Sequence, residues 1–109
     1  MASRVNQIWD IVWKNVVCLE LLRRNKGEIW IGTTGQQEID FVVQKLDGSR
    51  EYYQIAYRVD SQPETLSREL EPLRKISDNY PKYLITTDLV EEQFEGVKKI
   101  NVVNWLMKK

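Results

Sequence analysis

Between Gln7 and Arg24 apolar residues return every three or four positions, and Ile8, Ile11, Val12, Leu19 and Leu22 fall on one face at about 100° per residue. The spacing predicts a helix. A second, narrower stripe runs through Trp9, Trp13, Val17 and Leu21. A helix apolar on more than one side is either buried centrally in its own domain or holds a surface open for a partner. After "NKG", whose Gly27 suits a helix C-cap, the period falls to two. "EIWIG" reads as a short strand, and "QEIDFVVQKL" and "REYYQIAYRV" as longer ones. Ile39, Phe41 and Val43 share one face of the second run, with Glu38, Asp40, Val42 and Gln44 on the other.

Register between these runs decides which side chains meet, because a one-residue slip exchanges the faces. A two-residue Asp47-Gly48 turn would set Asp40 opposite Ile55. An odd-length loop keeps Phe41 among Tyr53, Ile55 and Tyr57, and gathers Asp40, Gln54 and Ala56 on one face; this is the expected arrangement. "SQPE" reads as a capping box with Ser61 as N-cap and Glu64 three places on. The helix it opens runs toward Ser77, with a kink or break expected at Glu71-Pro72 and a stop at "DNYP". "KYLITT" reads as an interior strand, "KKINVV" as a last strand, and "NWLMKK" as a short helix capped by Asn104. The predicted order is helix, three strands, helix, strand, strand, helix: an α/β (α+β) domain with a mixed sheet flanked by helices.

Composition narrows what such a domain does. At 109 residues one domain is expected, spanning 1–109. Sixteen basic and sixteen acidic residues cancel, which argues against a dedicated nucleic-acid binder and predicts weak, salt-sensitive binding at most. There is no histidine, so Ser-His and Cys-His nucleophilic systems and imidazole metal sites are excluded. A single cysteine, Cys18, precludes an internal disulfide and suits a reducing compartment. With no apolar run of membrane length and no signal-peptide pattern, a cytoplasmic protein without membrane partners is expected. "NKGEIWIGTTG" lacks GxxxxGK[ST], so no P-loop is present. Tyr52, Tyr53 and Tyr57 interleave with Arg50 and Arg58, a pattern that suits either strand aromatics in a core or a stacking surface for single strands, the core being preferred. Lys98-Lys99 and Lys108-Lys109 read as solvated ends.

An acid early on the second strand and a polar residue at the centre of the third, in this element order, resemble the restriction-endonuclease-like nucleases of the PD-(D/E)XK superfamily. "NVVCLELLRR", "EIDFV", "YYQIAY", "RELEPLRKISDNYPKYLITTD" and "INVVNWL" are together similar to one family within it. That family is the uncharacterised domain at the C-terminus of many prokaryotic AAA-type ATPases. The resemblance covers nearly all of the chain from about Val16 onward, and it implies an ATPase core as partner, a core that this chain does not carry.

Residue by residue, the nuclease pattern transfers poorly. Such sites hold Mg²⁺ on an Asp and a Glu, with a lysine two places past the Glu. By the resemblance Asp40 stands at the strand-two ligand, Gln54 where the Glu belongs and Ala56 where the lysine belongs. Lys14-Asn15 stands where relatives commonly begin this helix "EN". Exchanging a carboxylate for an amide removes a charge worth ~4 kcal/mol at about 4 Å and an effective dielectric near 20. The expectation is a relic site at Asp40, Gln54, Glu38 and Glu20, without a cofactor, in a non-catalytic accessory or recognition domain. The alternatives are a Mg²⁺-dependent nuclease using Asp40, Glu38 and Glu20, or a nucleic-acid-binding module that does not cut. The Trp9 and Trp13 stripe, left uncovered, predicts a homodimer through those two residues.

Overall fold

The computed structural model describes residues 4–60 and 62–108, with side chains from Gln7 onward. The elements are α1 (Arg4–Arg24), β1 (Glu28–Thr34), β2 (Gln37–Gln44), β3 (Arg50–Ile55), α2 (Pro63–Arg74), β4 (Lys82–Thr86), β5 (Glu92–Phe94), β6 (Val97–Asn101) and α3 (Val102–Met107). Six strands form one mixed sheet in the order β1-β2-β3-β4-β6-β5. β1, β2 and β3 make an antiparallel meander, β3, β4 and β6 run parallel, and β5 returns antiparallel to β6. Among the described residues no helix is long and apolar enough to cross a membrane.

Strand alternation divides the interior into two layers. Val43, Tyr53, Ile55, Ile85 and Ile100 pack with Val17 and Leu21 of α1 and Trp105 of α3. Val42, Tyr52, Ala56, Leu84 and Val97 face Leu70 and Leu73 of α2. The β2–β3 register has the expected parity, with Phe41 paired to Tyr53 and Gln44 to Arg50 across a five-residue loop, 45–49. Lys45 N–H donates to the Ser49 carbonyl, Gly48 takes a φ of 90°, and the Asp47 carboxylate accepts from the Ser49 N–H.

The faces of α1 exchange the roles that the sequence pattern suggested. Val17 and Leu21 are fully buried and Trp13 packs half-buried on the core, whereas Ile8, Ile11, Val12, Leu19 and Leu22 are exposed. Periodicity fixes the stripes, and when both are apolar it does not say which one meets the sheet. Gly27 is not a left-handed cap. Its hydrogen matters because a Cβ there would lie 1.9 Å from the Gln44 carbonyl oxygen.

Other boundaries move as well. Asn101, not Asn104, caps α3, its Oδ1 accepting from the N–H groups of Val103 and Asn104 at 3.0 and 3.2 Å. Ser61 lies outside the described residues; Gln62 occupies the N-cap of α2 without a side-chain bond, and Pro63 follows it at the start of the helix. Pro72 is accommodated in the last turn, two residues before α2 ends. β5 adds a strand that the sequence pattern does not announce. Its three residues include Glu92 and Gln93 at the sheet edge, where polar side chains discourage further pairing.

Candidate functional site

The expected site lies where β2 and β3 part. The paired register ends at Phe41–Tyr53, and on the other side of β2 a bulge begins. Trp30 faces Val42 but Gly32 faces Ile39, so Asp40 and Phe41 together stand opposite Ile31. Gly32 permits this, since a Cβ there would come within 2.5 Å of a Val42 methyl. The bulge turns Asp40 toward β3, where side chains take over from the ladder. Ile55 N–H donates to Asp40 Oδ2 at 2.9 Å, and Asp40 N–H donates to Gln54 Oε1 at 2.7 Å. Gln54, almost fully buried, donates from Nε2 to the Glu69 carbonyl at 3.2 Å, tying α2 to the same point.

Three further charged groups converge there. Lys14 Nζ of α1 lies 3.4 Å from Asp40 Oδ1. One turn earlier, Asp10 Oδ1 accepts from the Tyr57 N–H at 2.6 Å. Burial pushes the Asp40 carboxyl above its ordinary range, opposed by the Ile55 N–H and the Lys14 charge. Glu69, half-buried on α2, is pushed up to about 7, first by burial and then by the charge of Asp40, with Lys14 acting against both. One lysine thus stands among three carboxylates. Among the described residues no group of three or more His, Cys, Asp or Glu side chains is arranged to hold a metal ion.

Of the residues singled out from sequence, Asp40 and Gln54 meet while Glu38 and Glu20 do not join them. Glu38 lies beyond the bulge, exposed and paired with Thr33. Glu20 is clamped by Arg23 and Arg24 at 2.6 and 2.5 Å, and these two hold its carboxyl down to about 2. Arg24 in turn caps the carbonyls of Trp105 and Lys108 at 2.7 Å, so Glu20 serves the α1–α3 junction. Ala56 is buried in the same apolar cluster as Leu70, Leu73 and Leu84. Lys14, on another element, supplies the only cation beside Asp40 among the described residues. Asp10 and Lys14 were legible as an i, i+4 polar pair continuing the stripe of Val17 and Leu21. Glu69 carried no such signal.

A second charged cluster was missed altogether. Lys99, expected in solvent, is fully buried, with Asp60 at 2.5 Å, Glu92 at 3.6 Å and Asp88 at 3.7 Å. Asp88 Oδ2 also accepts from the N–H groups of Val59 and Asp60, and the Asp88 carbonyl accepts from Asn101 Nδ2 at 3.0 Å. Lys98 alone of the pair is solvated. The tyrosines do not form an open stacking surface. Tyr52 and Tyr53 are buried, and Tyr57 stacks on Trp9 at 6.0 Å with Arg58 4.8 Å from its ring centre.

The architecture and site define a mixed α/β domain with a charged cluster at the divergence of two strands. Set against protein-family models, curated proteins and solved structures, the chain matches none.

Proposed function

We propose that this chain is a nuclease-fold domain without catalytic activity that serves as an accessory or recognition module of an AAA-type ATPase. One observation carries the silent-site part of the reading. The two residues at the ligand positions of the nuclease pattern bond each other's strands, and the free oxygen of Asp40 faces Lys14. A Mg²⁺ site needs hard oxygens with charge to offer. Here one ligand is a neutral amide whose oxygen and nitrogen both have protein partners, and the other is engaged by the Ile55 N–H and faced by Lys14. The association with an ATPase rests on the resemblance of "YYQIAY" and "DNYPKYLITTD" alone. The order of α1, three antiparallel strands, α2 and a parallel β4 agrees with the restriction-endonuclease-like core that the same resemblance implies.

The test is direct. With Mg²⁺ or Mn²⁺ the purified protein is expected to leave single-stranded, duplex and branched nucleic acid intact. Metal-dependent cleavage that vanishes in Asp40→Ala would replace this reading with the nuclease. Binding to single-stranded or duplex DNA, measured by fluorescence anisotropy, is expected to be weak and to fade with salt. Submicromolar affinity persisting at physiological salt would make nucleic acid itself the thing recognised.

A further inference from the structure

The outer face of α1 is built like an inner one. Ile8, Ile11, Leu19 and Leu22 are 58, 60, 68 and 57% exposed, and they lie on the side of the helix opposite Val17 and Leu21. Val12 widens the stripe, and Trp9, 41% exposed, flanks it. Ile31 of β1, 64% exposed, lies by strand alternation on the sheet face that α1 covers. Isolated apolar residues on a surface are ordinary, whereas a set repeated along about four turns of a helix marks a contact surface.

The spacing identifies the occupant. The stripe reads Ile8, Ile11, Asn15, Leu19, Leu22, with steps of three, four, four and three. It is a palindrome about Asn15. We infer that a second copy of this chain docks here, its α1 antiparallel to the first, with the two-fold axis passing beside Asn15. A two-fold interface must be complementary to itself, and this stripe is: Ile8 meets Leu22 of the second copy, Ile11 meets its Leu19, and Asn15 meets Asn15. The residue on the axis is the one polar member of the set. A carboxamide both donates and accepts, so it can pair with its own image, which a lysine or an ionised aspartate cannot do. A lone asparagine in an apolar helix seam also fixes register.

Charge and length agree with that occupant. The chain carries no net charge, so two copies do not repel. Antiparallel packing opposes the helix dipoles and keeps each exposed Arg23 away from the other, which parallel packing would bring together. Ile8 to Leu22 spans roughly 21 Å at 1.5 Å per residue. Five exposed apolar side chains of α1, Ile8, Ile11, Val12, Leu19 and Leu22, thus lie along one length of helix with no cover from their own domain. The inference does not depend on whether the Asp40 site is silent.

Sedimentation velocity over a concentration series tests the association. The wild type is expected to be a dimer, and Ile11→Asp/Leu19→Asp a folded monomer by circular dichroism. A wild type that stays monomeric throughout overturns the proposal. Disulfide trapping in a Cys18→Ser background tests the geometry. Helix axes 8–10 Å apart, with Cα atoms about 2.3 Å from each axis, leave facing Cα atoms within disulfide range. Asn15→Cys is expected to give a covalent dimer on mild oxidation, Leu22→Cys alone none, and an Ile8→Cys plus Leu22→Cys mixture a mixed dimer. Efficient trapping of Leu22→Cys with itself, or none at position 15, would overturn the antiparallel pairing.

Discussion

Two lysines in this domain each stand among three carboxylates, and they are built in opposite ways. Lys99 has no exposed surface, and its three partners come from the segment after β3, the segment after β4 and from β5. Lys14 is 40% exposed, reaches Asp40 alone at 3.4 Å, and has Asp10 and Glu69 nearby without a bond to either. The first arrangement fastens the segments after β3 and β4 to a β5–β6 ladder in which Glu92 already stands opposite Lys99. The second leaves charge only partly matched, and Glu69, raised first by burial and then by the Asp40 charge, stands at about 7. Burial with full pairing makes a strut, while loose pairing at the end of a bulged strand makes a tunable patch. The tunable one is the site at Asp40.

Replacing each member in turn sharpens the contrast. Lys99→Ala should have the largest effect, because it leaves Asp88 and its neighbours without their cation. Breaking a buried pair costs about 3–5 kcal/mol, a large share of a small domain's stability, and thermal melting should register it as partial or complete unfolding. Gln54→Glu comes next. It places a carboxylate oxygen against the Glu69 carbonyl where Nε2 now donates, and the lost bond and repulsion should cost about 2 kcal/mol in urea denaturation. The same variant, titrated calorimetrically with Mg²⁺ or Mn²⁺, reports whether a restored charge is enough to recruit metal beside Lys14.

Glu69→Gln should act in the other direction. Between the ordinary value of 4.5 and about 7 the folded chain holds a proton on Glu69 that the unfolded chain has released. The wild type therefore loses stability as pH rises through that window, the sign required when the folded state binds more protons. The glutamine variant should be more stable than wild type by about 1–2 kcal/mol at pH 8, and the gain should vanish near pH 4. A gain that does not change with pH would show that charge is not its cause. Lys14→Ala should be smallest, below about 1 kcal/mol for so exposed a pair. A loss as large as that of Lys99→Ala would mean that both lysines are structural struts.

The sequence carried the sheet meander well because local chemistry dictates it. Asp47-Gly48-Ser49 sets the loop, and the alternation of "DFVV" against "EYYQI" leaves one register that buries both apolar sets. It did not carry how Asp40 meets Gln54: the bulge puts Ile39 in the α2 layer and Phe41 in the α1 layer, against the expected common face, and Asp40 reaches Gln54 through its own N–H while its carboxylate turns to Lys14 of α1. It did not carry the burial of Lys99, since two adjacent lysines on a strand differ only in which face each takes, and that face is set by β4 and β5. Nor could apolar periodicity rank the two stripes of α1. The better clue was polar: Asp10 and Lys14 continue the stripe of Val17 and Leu21 toward the site, whereas the outer stripe holds Asn15 alone. Glu38 and Glu20 were grouped with Asp40 by charge type and strand parity, and the bulge at Ile31 breaks that parity.

The strand order 1-2-3-4-6-5 also bears on how the chain reaches this state. β1, β2 and β3 are neighbours in sequence and in space, joined by short turns, so their contacts close small loops. β4 can join β3 only after α2 and its flanking segments have crossed over, and β6 joins β4 with β5 folded alongside. Nearby contacts form at low entropic cost, and distant parallel pairings must wait. The meander is thus expected to nucleate and the Lys99 corner to lock late, so Lys99 variants should speed unfolding with little change in refolding rate. Substitutions in the 45–49 loop should slow refolding. Opposite arms of a chevron plot would then report the two halves of a single sheet.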